Sequence, residues 1–164
     1  MESEQFKSSL GTIEINGDID GVQSIKILQN KIYKESKIPN VLQESVEQVK
    51  EYIEKRRTHF TFLMNPKGTE FQLKIWNILQ TIPYGKTTSY LKIAKIYGNI
   101  NAVRAIGAAI GKNPILVAIP CHRVIGSNGS LVGFASGLDK KNGFYKMRAL
   151  ELKKSLIFSN YFIF

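Results

Sequence analysis

Apolar positions fall into short, differently spaced groups along the chain. Leu10, Ile13 and Ile15, then Val22, Ile25 and Ile27, flank a turn-forming stretch from Asn16-Gly17-Asp18 to Gly21, which predicts two strands in a hairpin. Beyond Pro39 and Asn40 the spacing becomes helical through Val41, Leu42, Val46, Val49 and Ile53, and Lys55-Arg56-Arg57-Thr58 closes that helix. Phe60, Phe62 and Met64 then alternate up to Asn65-Pro66-Lys67-Gly68, an extended segment running into a boundary. Residues 1–65 thus read as a small α+β support domain of one sheet and one helix, with no chemistry of its own.

The stretch 66–154 reads as a second, mostly helical domain. Thr69 with Gln72 forms a capping box, and Phe71, Ile75, Ile78, Leu79 and Ile82 share one face of the helix it opens. Pro83-Tyr84-Gly85-Lys86 stops that helix. A second begins near Thr88 or Ser89, carries Leu91, Ile93, Ala94 and Ile96, and ends at Gly98; a third runs from Asn101 to about Gly111. Two short helices joined by a tight turn form a helix-turn-helix pattern. The third helix is lined with Ala102, Ala105, Gly107, Ala108, Ala109 and Gly111, small residues that let it approach either a neighbouring helix or a nucleic-acid groove. Residues 155–164 form an apolar tail, expected to pack on the domain.

Composition narrows the class. At 43% hydrophobic and 22% charged residues, wholesale disorder is excluded. A single cysteine permits neither an internal disulfide nor a structural zinc site, and His59 and His122 do not supply a metal centre, so neither metal nor cofactor is expected. No apolar run reaches the ~20 residues that cross a bilayer, and the polar start is no signal peptide; a soluble, cytoplasmic protein is expected, nucleoid-associated if bacterial. Charge is divided unevenly. Residues 1–66 carry nine basic and ten acidic side chains, whereas residues 67–164 carry fourteen and three, a net +11. Such a single-sign segment attracts polyanions, nucleic acid foremost, or simply forms a solvated basic face.

The candidate chemistry lies after the apolar run Ile115–Ile119, in Pro120-Cys121-His122-Arg123-Val124-Ile125. An isolated cysteine in an apolar stretch is most often buried and inert. Here His122 and Arg123 follow it directly, groups of the kind that favour a nucleophilic thiolate, although neighbours on an extended chain face opposite ways, so a direct Cys-His ion pair does not follow.

Pro120-Cys121-His122-Arg123-Val124, preceded by Gly111-Lys112-Asn113-Pro114 and followed by Gly133-Phe134 and Gly137-Leu138, resembles the O6-alkylguanine-DNA alkyltransferases. The resemblance continues upstream through Gly68-Thr69-Glu70-Phe71-Gln72, Pro83-Tyr84-Gly85, Thr88-Ser89-Tyr90 and Arg104-Ala105-Ile106-Gly107. It implies double-stranded DNA containing O6-alkylguanine as partner, bound in the minor groove by a monomer, and an irreversible, single-turnover transfer of the alkyl group to Cys121 after base flipping. It further implies that His122 takes the thiol proton through a water, that Tyr90 donates to the guanine ring, that Asn113 braces the reactive turn, and that Arg104 fills the space left by the flipped nucleotide. Ala102, Ala105, Thr88, Ser89, Tyr90 and Arg123 would contact DNA with Arg104; Val124, Phe134, Ala135 and Ser136 would line the base pocket.

The match departs from the family at three places. Ser136 stands where a glycine is usual, so bulky substrates are expected to be excluded. An ungapped count puts Arg148 at the family's histidine-orienting glutamate; a three-residue insertion around Asn142-Gly143-Phe144 would put Glu151 there instead. The apolar tail has no counterpart in the family. A non-enzymatic protein that binds alkylated DNA is the alternative function, and a helix-turn-helix DNA binder with a structural cysteine a third.

Overall fold

The computed structural model describes residues 1–28, 37–126 and Glu151. Gly133, Phe134, Ala135, Ser136, Gly137, Arg148, the proposed insertion and the tail 155–164 lie outside the described residues.

The chain opens with three antiparallel strands, β1 (Glu2–Ser8), β2 (Gly11–Asp18) and β3 (Gly21–Leu28), in the order β1-β2-β3. The predicted hairpin is the β2-β3 pair; the additional strand β1 corrects it. β1 escapes apolar periodicity because only Phe6 marks its inner face, where Glu4 is buried beside it. α1 (Gln43–Ile53) follows a short 3-10 turn and turns Val46, Val49, Tyr52 and Ile53 inward. The alternating Phe60-Phe62-Met64 stretch forms no strand of its own. It runs parallel to β3 for a single bridge, Val22 to Met64, with Val22 N donating to Leu63 O at 2.9 Å and Asn65 N to Val22 O at 2.8 Å.

Three helices make up the rest of the described core: α2 (Glu70–Gln80), α3 (Tyr90–Tyr97) and α4 (Val103–Gly111). The Thr69–Gln72 capping box is formed in both directions. Gly68 before it could carry no side chain without displacing the Trp76 ring, which lies 2.7 Å from where a Cβ would sit. Trp76 Nε1 donates to Ala109 O at 2.9 Å inside the core and so ties α2 to α4. Gly98 ends α3 at φ 91°, a left-handed conformation glycine adopts without a steric penalty. A 3-10 turn over Ile100–Ala102 then leads into α4, so regular α-helix starts at Val103 rather than Asn101. The buried apolar side chains form one continuous cluster from Phe6 to Val124.

Two backbone pairings position the segment that carries Cys121. Strand β3 lies at the sheet edge, where its free backbone groups need partners. Ile25 N donates to Pro114 O at 2.9 Å and Ile25 O accepts from Leu116 N at 3.1 Å, which fixes the stem of the segment leading to Cys121. A second sheet of two residues per strand, β4 (Thr88–Ser89) beside β5 (Val124–Ile125), runs parallel and joins the start of α3 to the residues just after Cys121.

Candidate active site

Four tight backbone turns carry the chain from α4 to the thiol. Asn113 N donates to Ile110 O, Ala118 N to Leu116 O at 2.8 Å, Ile119 N to Ile115 O at 3.0 Å, and Cys121 N to Ile119 O at 2.8 Å. The last is a γ-turn about Pro120, whose φ of −82° and ψ of 61° suit the ring. Val117, at the centre of another, has φ 74°, a conformation that costs a β-branched residue about 1–3 kcal/mol. The surroundings enforce it: Leu116, Val117 and Ala118 are all buried.

Asn113 is the brace. Its side chain is buried, accepts from Ile115 N at 3.0 Å, and donates through Nδ2 to Ile119 O at 2.8 Å and to Cys121 Sγ at 2.9 Å. The same amide therefore closes the loop and solvates the sulfur. Cys121, 1% exposed, begins the 3-10 turn Cys121–Arg123. The three residues are thus in a tight helical turn and not the extended chain the sequence implied, and this sends His122 and Arg123 inward as well.

His122 Nε2 lies 2.7 Å from Glu151 Oε1. Of the two positions the sequence offered, Arg148 and Glu151, the structure brings the Glu151 carboxylate to His122, from 29 residues further along the chain. Arg123 is the other partner. Its Nε and Nη2 donate to the Glu151 carboxylate at 3.1–3.3 Å, Nη1 donates to Ile82 O at 2.5 Å, and Nη2 reaches the Tyr52 hydroxyl at 3.1 Å. Arg123 is only 7% exposed. The expectation that it contacts DNA is therefore corrected: a guanidinium committed to a buried carboxylate and a helix-end carbonyl is an internal counter-ion. Tyr52, from α1, also donates its hydroxyl to Glu151 Oε1, and Gly85 N approaches Oε2 at 3.4 Å.

Burial by itself would raise the Glu151 carboxyl; the hydrogen bond and charge of His122, then those of Arg123, outweigh it and hold the group down at about 2. At neutral pH it is a carboxylate and accepts only. Nε2 of neutral His122 therefore carries the proton facing it, which leaves Nδ1 as the acceptor.

Tyr90, the first residue of α3, is half-buried, and its ring lies 3.8 Å from where a Cβ on Gly107 would be. Burial, then the nearby Cys121, push its hydroxyl above the ordinary tyrosine value, so it keeps its proton. The β4-β5 pairing sets this neighbourhood, with Val124 fully buried against Thr88. On α4, Arg104 and Ala105 are exposed; Ala102, in the 3-10 turn before it, is half-buried, as are Thr88 and Ser89, and Ser89 Oγ caps α3 by accepting from Lys92 N at 3.1 Å. Arg104, Ala108 and Lys112 recur every four residues as one exposed stripe. Tyr52 belongs to no chemical motif of the sequence. Its spacing from Val49, beside Ile53 on the apolar face of α1, marks it as buried, and a buried tyrosine hydroxyl requires a partner.

A lone buried thiol, braced by an amide and followed by a carboxylate-held histidine, defines a protein with a protected cysteine nucleophile. The family model described as 6-O-methylguanine DNA methyltransferase, DNA binding domain, matches residues 70–148. The methylated-DNA–protein-cysteine methyltransferase of Methanosarcina acetivorans is 40% identical over 149 residues, covering 87% of this chain and 94% of that protein. The inducible one of Bacillus subtilis is 51% identical over 94 residues, 57% of this chain and 52% of the other. The crystal structure of Mycobacterium tuberculosis O6-methylguanine methyltransferase superposes with a TM-score of 0.79 at 32% identity, covering 92% of both chains. Mycobacterium tuberculosis OGT in complex with DNA gives 0.76 at 32% identity, with 95% and 98% covered. The chain belongs to the methylated-DNA–protein-cysteine methyltransferases.

Proposed function

We propose that this protein repairs DNA by direct reversal, moving the alkyl group of O6-alkylguanine irreversibly onto Cys121, one group per chain. The observation that carries this reading is the linkage Asn113–Cys121 together with His122–Glu151 in one buried turn. The thiol proton passes through a water to Nδ1 of His122, and the imidazolium that results is balanced by Glu151. The sulfur then attacks the alkyl carbon in line; the C–S bond forms as the C–O6 bond breaks, and the electron pair leaves with the base. Tyr90, still protonated, passes its proton to the guanine ring as the C–O6 bond breaks, so the base departs as a neutral purine rather than an anion, and the tyrosinate regains a proton from solvent. The thioether product resists hydrolysis, which makes the reaction a single turnover.

A buried sulfur cannot reach an O6 substituent within a stacked duplex, so the nucleotide is flipped out, at a cost of a few kcal/mol that is smaller for a poorly paired base. The helix-turn-helix of α3 and α4 lies in the minor groove, with small residues giving close approach and Arg104 entering the vacated stack. Exposed lysines of the basic segment supply sequence-independent phosphate contacts. Residues 1–65 support the domain 66–154, and the protein acts as a monomer inside the cell.

Intact-protein mass after incubation with a duplex containing one O6-methylguanine tests this. One methylene is gained per chain, and none with Cys121→Ser or with an unmodified duplex. Retained binding to the methylated duplex without a mass gain overturns transfer and leaves a lesion-binding protein.

A further inference from the structure

We propose that Tyr52, on the helix of the N-terminal segment, is a positioning residue for the transfer reaction: its hydroxyl sets the Glu151 carboxylate against His122. The inference rests on transfer through the Cys121–His122–Glu151 relay and adds to it a residue from a part of the chain otherwise assigned to support.

Glu151 Oε1 faces His122 Nε2 and receives the Tyr52 hydroxyl together with Nε and Nη2 of Arg123, so the hydroxyl acts on the very oxygen that holds the imidazole. The hydroxyl is a donor with no alternative state. Burial and then the adjacent Glu151 charge raise its proton affinity far above the ordinary tyrosine value, Arg123 only partly opposing this. Because Arg123 Nη2 donates into the same hydroxyl oxygen, the proton of that hydroxyl is left to point at Glu151. The ring is held too. It is fully buried, 4.9 Å between centroids from Phe60 and 5.7 Å, edge-on, from Tyr84. A fixed donor on a fixed ring restricts the carboxylate from the side Arg123 does not hold, and His122 takes its orientation from that carboxylate.

Among the described residues, the charged and titratable groups facing Glu151 are Tyr52 from α1, Tyr84 from the loop after α2, and His122 and Arg123 from the reactive turn. Removing one donor from the carboxylate changes both its orientation and the charge it presents to the imidazole, so the pH dependence of the relay changes with it.

Tyr52→Phe keeps the ring and deletes the hydroxyl. Single-turnover transfer is measured across pH beside duplex affinity, final stoichiometry and the rate of Cys121 alkylation by iodoacetamide, which needs no DNA. The expected result is one methyl per chain at unchanged affinity, with transfer about tenfold slower at neutral pH and the pH–rate profile displaced from that of wild type. The alkylation profile moves in parallel. Rate profiles that superimpose on wild type in both assays overturn the proposal and leave Tyr52 a packing residue. A wild-type chain that gains no methyl overturns the transfer reading itself, and this proposal with it.

Discussion

Replacing Asn113 with alanine separates the two jobs of one buried amide. The Ile115 amide, in the core, loses its acceptor at 3.0 Å, an orphaned donor that costs about 1–3 kcal/mol. The Ile119 carbonyl keeps the Cys121 amide at 2.8 Å, so losing Nδ2 there adds only about 0.5–1.5 kcal/mol. Together these give roughly 2–4 kcal/mol, or a urea midpoint lower by about 1–2 M for a slope of about 2 kcal/mol per M. The second effect is chemical. A hydrogen bond to a charged group is worth about 1.5–3 kcal/mol, so a sulfur without it is thiolate roughly ten- to a hundredfold less often at a given pH. Urea titration reads the first effect and single-turnover methyl transfer from about pH 6 to about pH 9 the second. The variant should lag most at low pH and narrow the gap as pH rises, because the shortage is of thiolate. Asn113→Asp retains the acceptor for Ile115 but turns an oxygen toward Sγ and the Ile119 carbonyl; it should keep more stability and transfer no faster than alanine. A constant ratio of rates at all pH, or an alanine variant within about 1 kcal/mol of wild type, would refute the reasoning.

Glu151 and the two arginines give further tests. Because the Glu151 carboxyl is held below its ordinary value in the fold, its stabilising contribution is complete above about pH 4.5 and disappears as pH falls toward about 2. Glu151→Gln should abolish that segment of the stability profile, measured by denaturant unfolding against pH. It should also cost about 3–5 kcal/mol near neutrality by leaving Arg123 uncompensated in the core. Arg123→Met should weaken stability while leaving the salt dependence of DNA affinity unchanged, which a binding series at several salt concentrations checks; a smaller slope would return Arg123 to the DNA surface. Arg104→Ala should do the opposite, leaving the unfolding free energy within about 0.5 kcal/mol of wild type and slowing transfer from duplex more than from single-stranded DNA, since only the duplex requires a stacked base to be replaced.

Local features were legible along the chain because they are settled by neighbours in sequence. The capping box at Thr69 and Gln72, the glycine that ends α3, the core face of α1 and the reactive Pro120-Cys121-His122-Arg123 string each depend on spacings of a few residues. The paired backbone of β2 and β3 follows from a turn and two apolar groups. β1 did not, because a strand with Glu4 on its inner side has no alternating apolar signature.

What the chain order alone left open was every choice between distant partners. Arg148 and Glu151 were alternatives by counting, and the geometry of a histidine nitrogen and a buried guanidinium selects the carboxylate. Arg123 belongs to a basic segment by composition, yet its exposure is set by Ile82, Tyr52 and Glu151, lying 41, 71 and 28 residues away. Tyr52 acquires its role the same way. Apolar periodicity reports which side of an element is buried, since burial free energy depends on area. It carries nothing about which charge a buried polar group will meet, because electrostatic pairing in a low-dielectric interior is decided by distances of about 3 Å that only the folded chain creates.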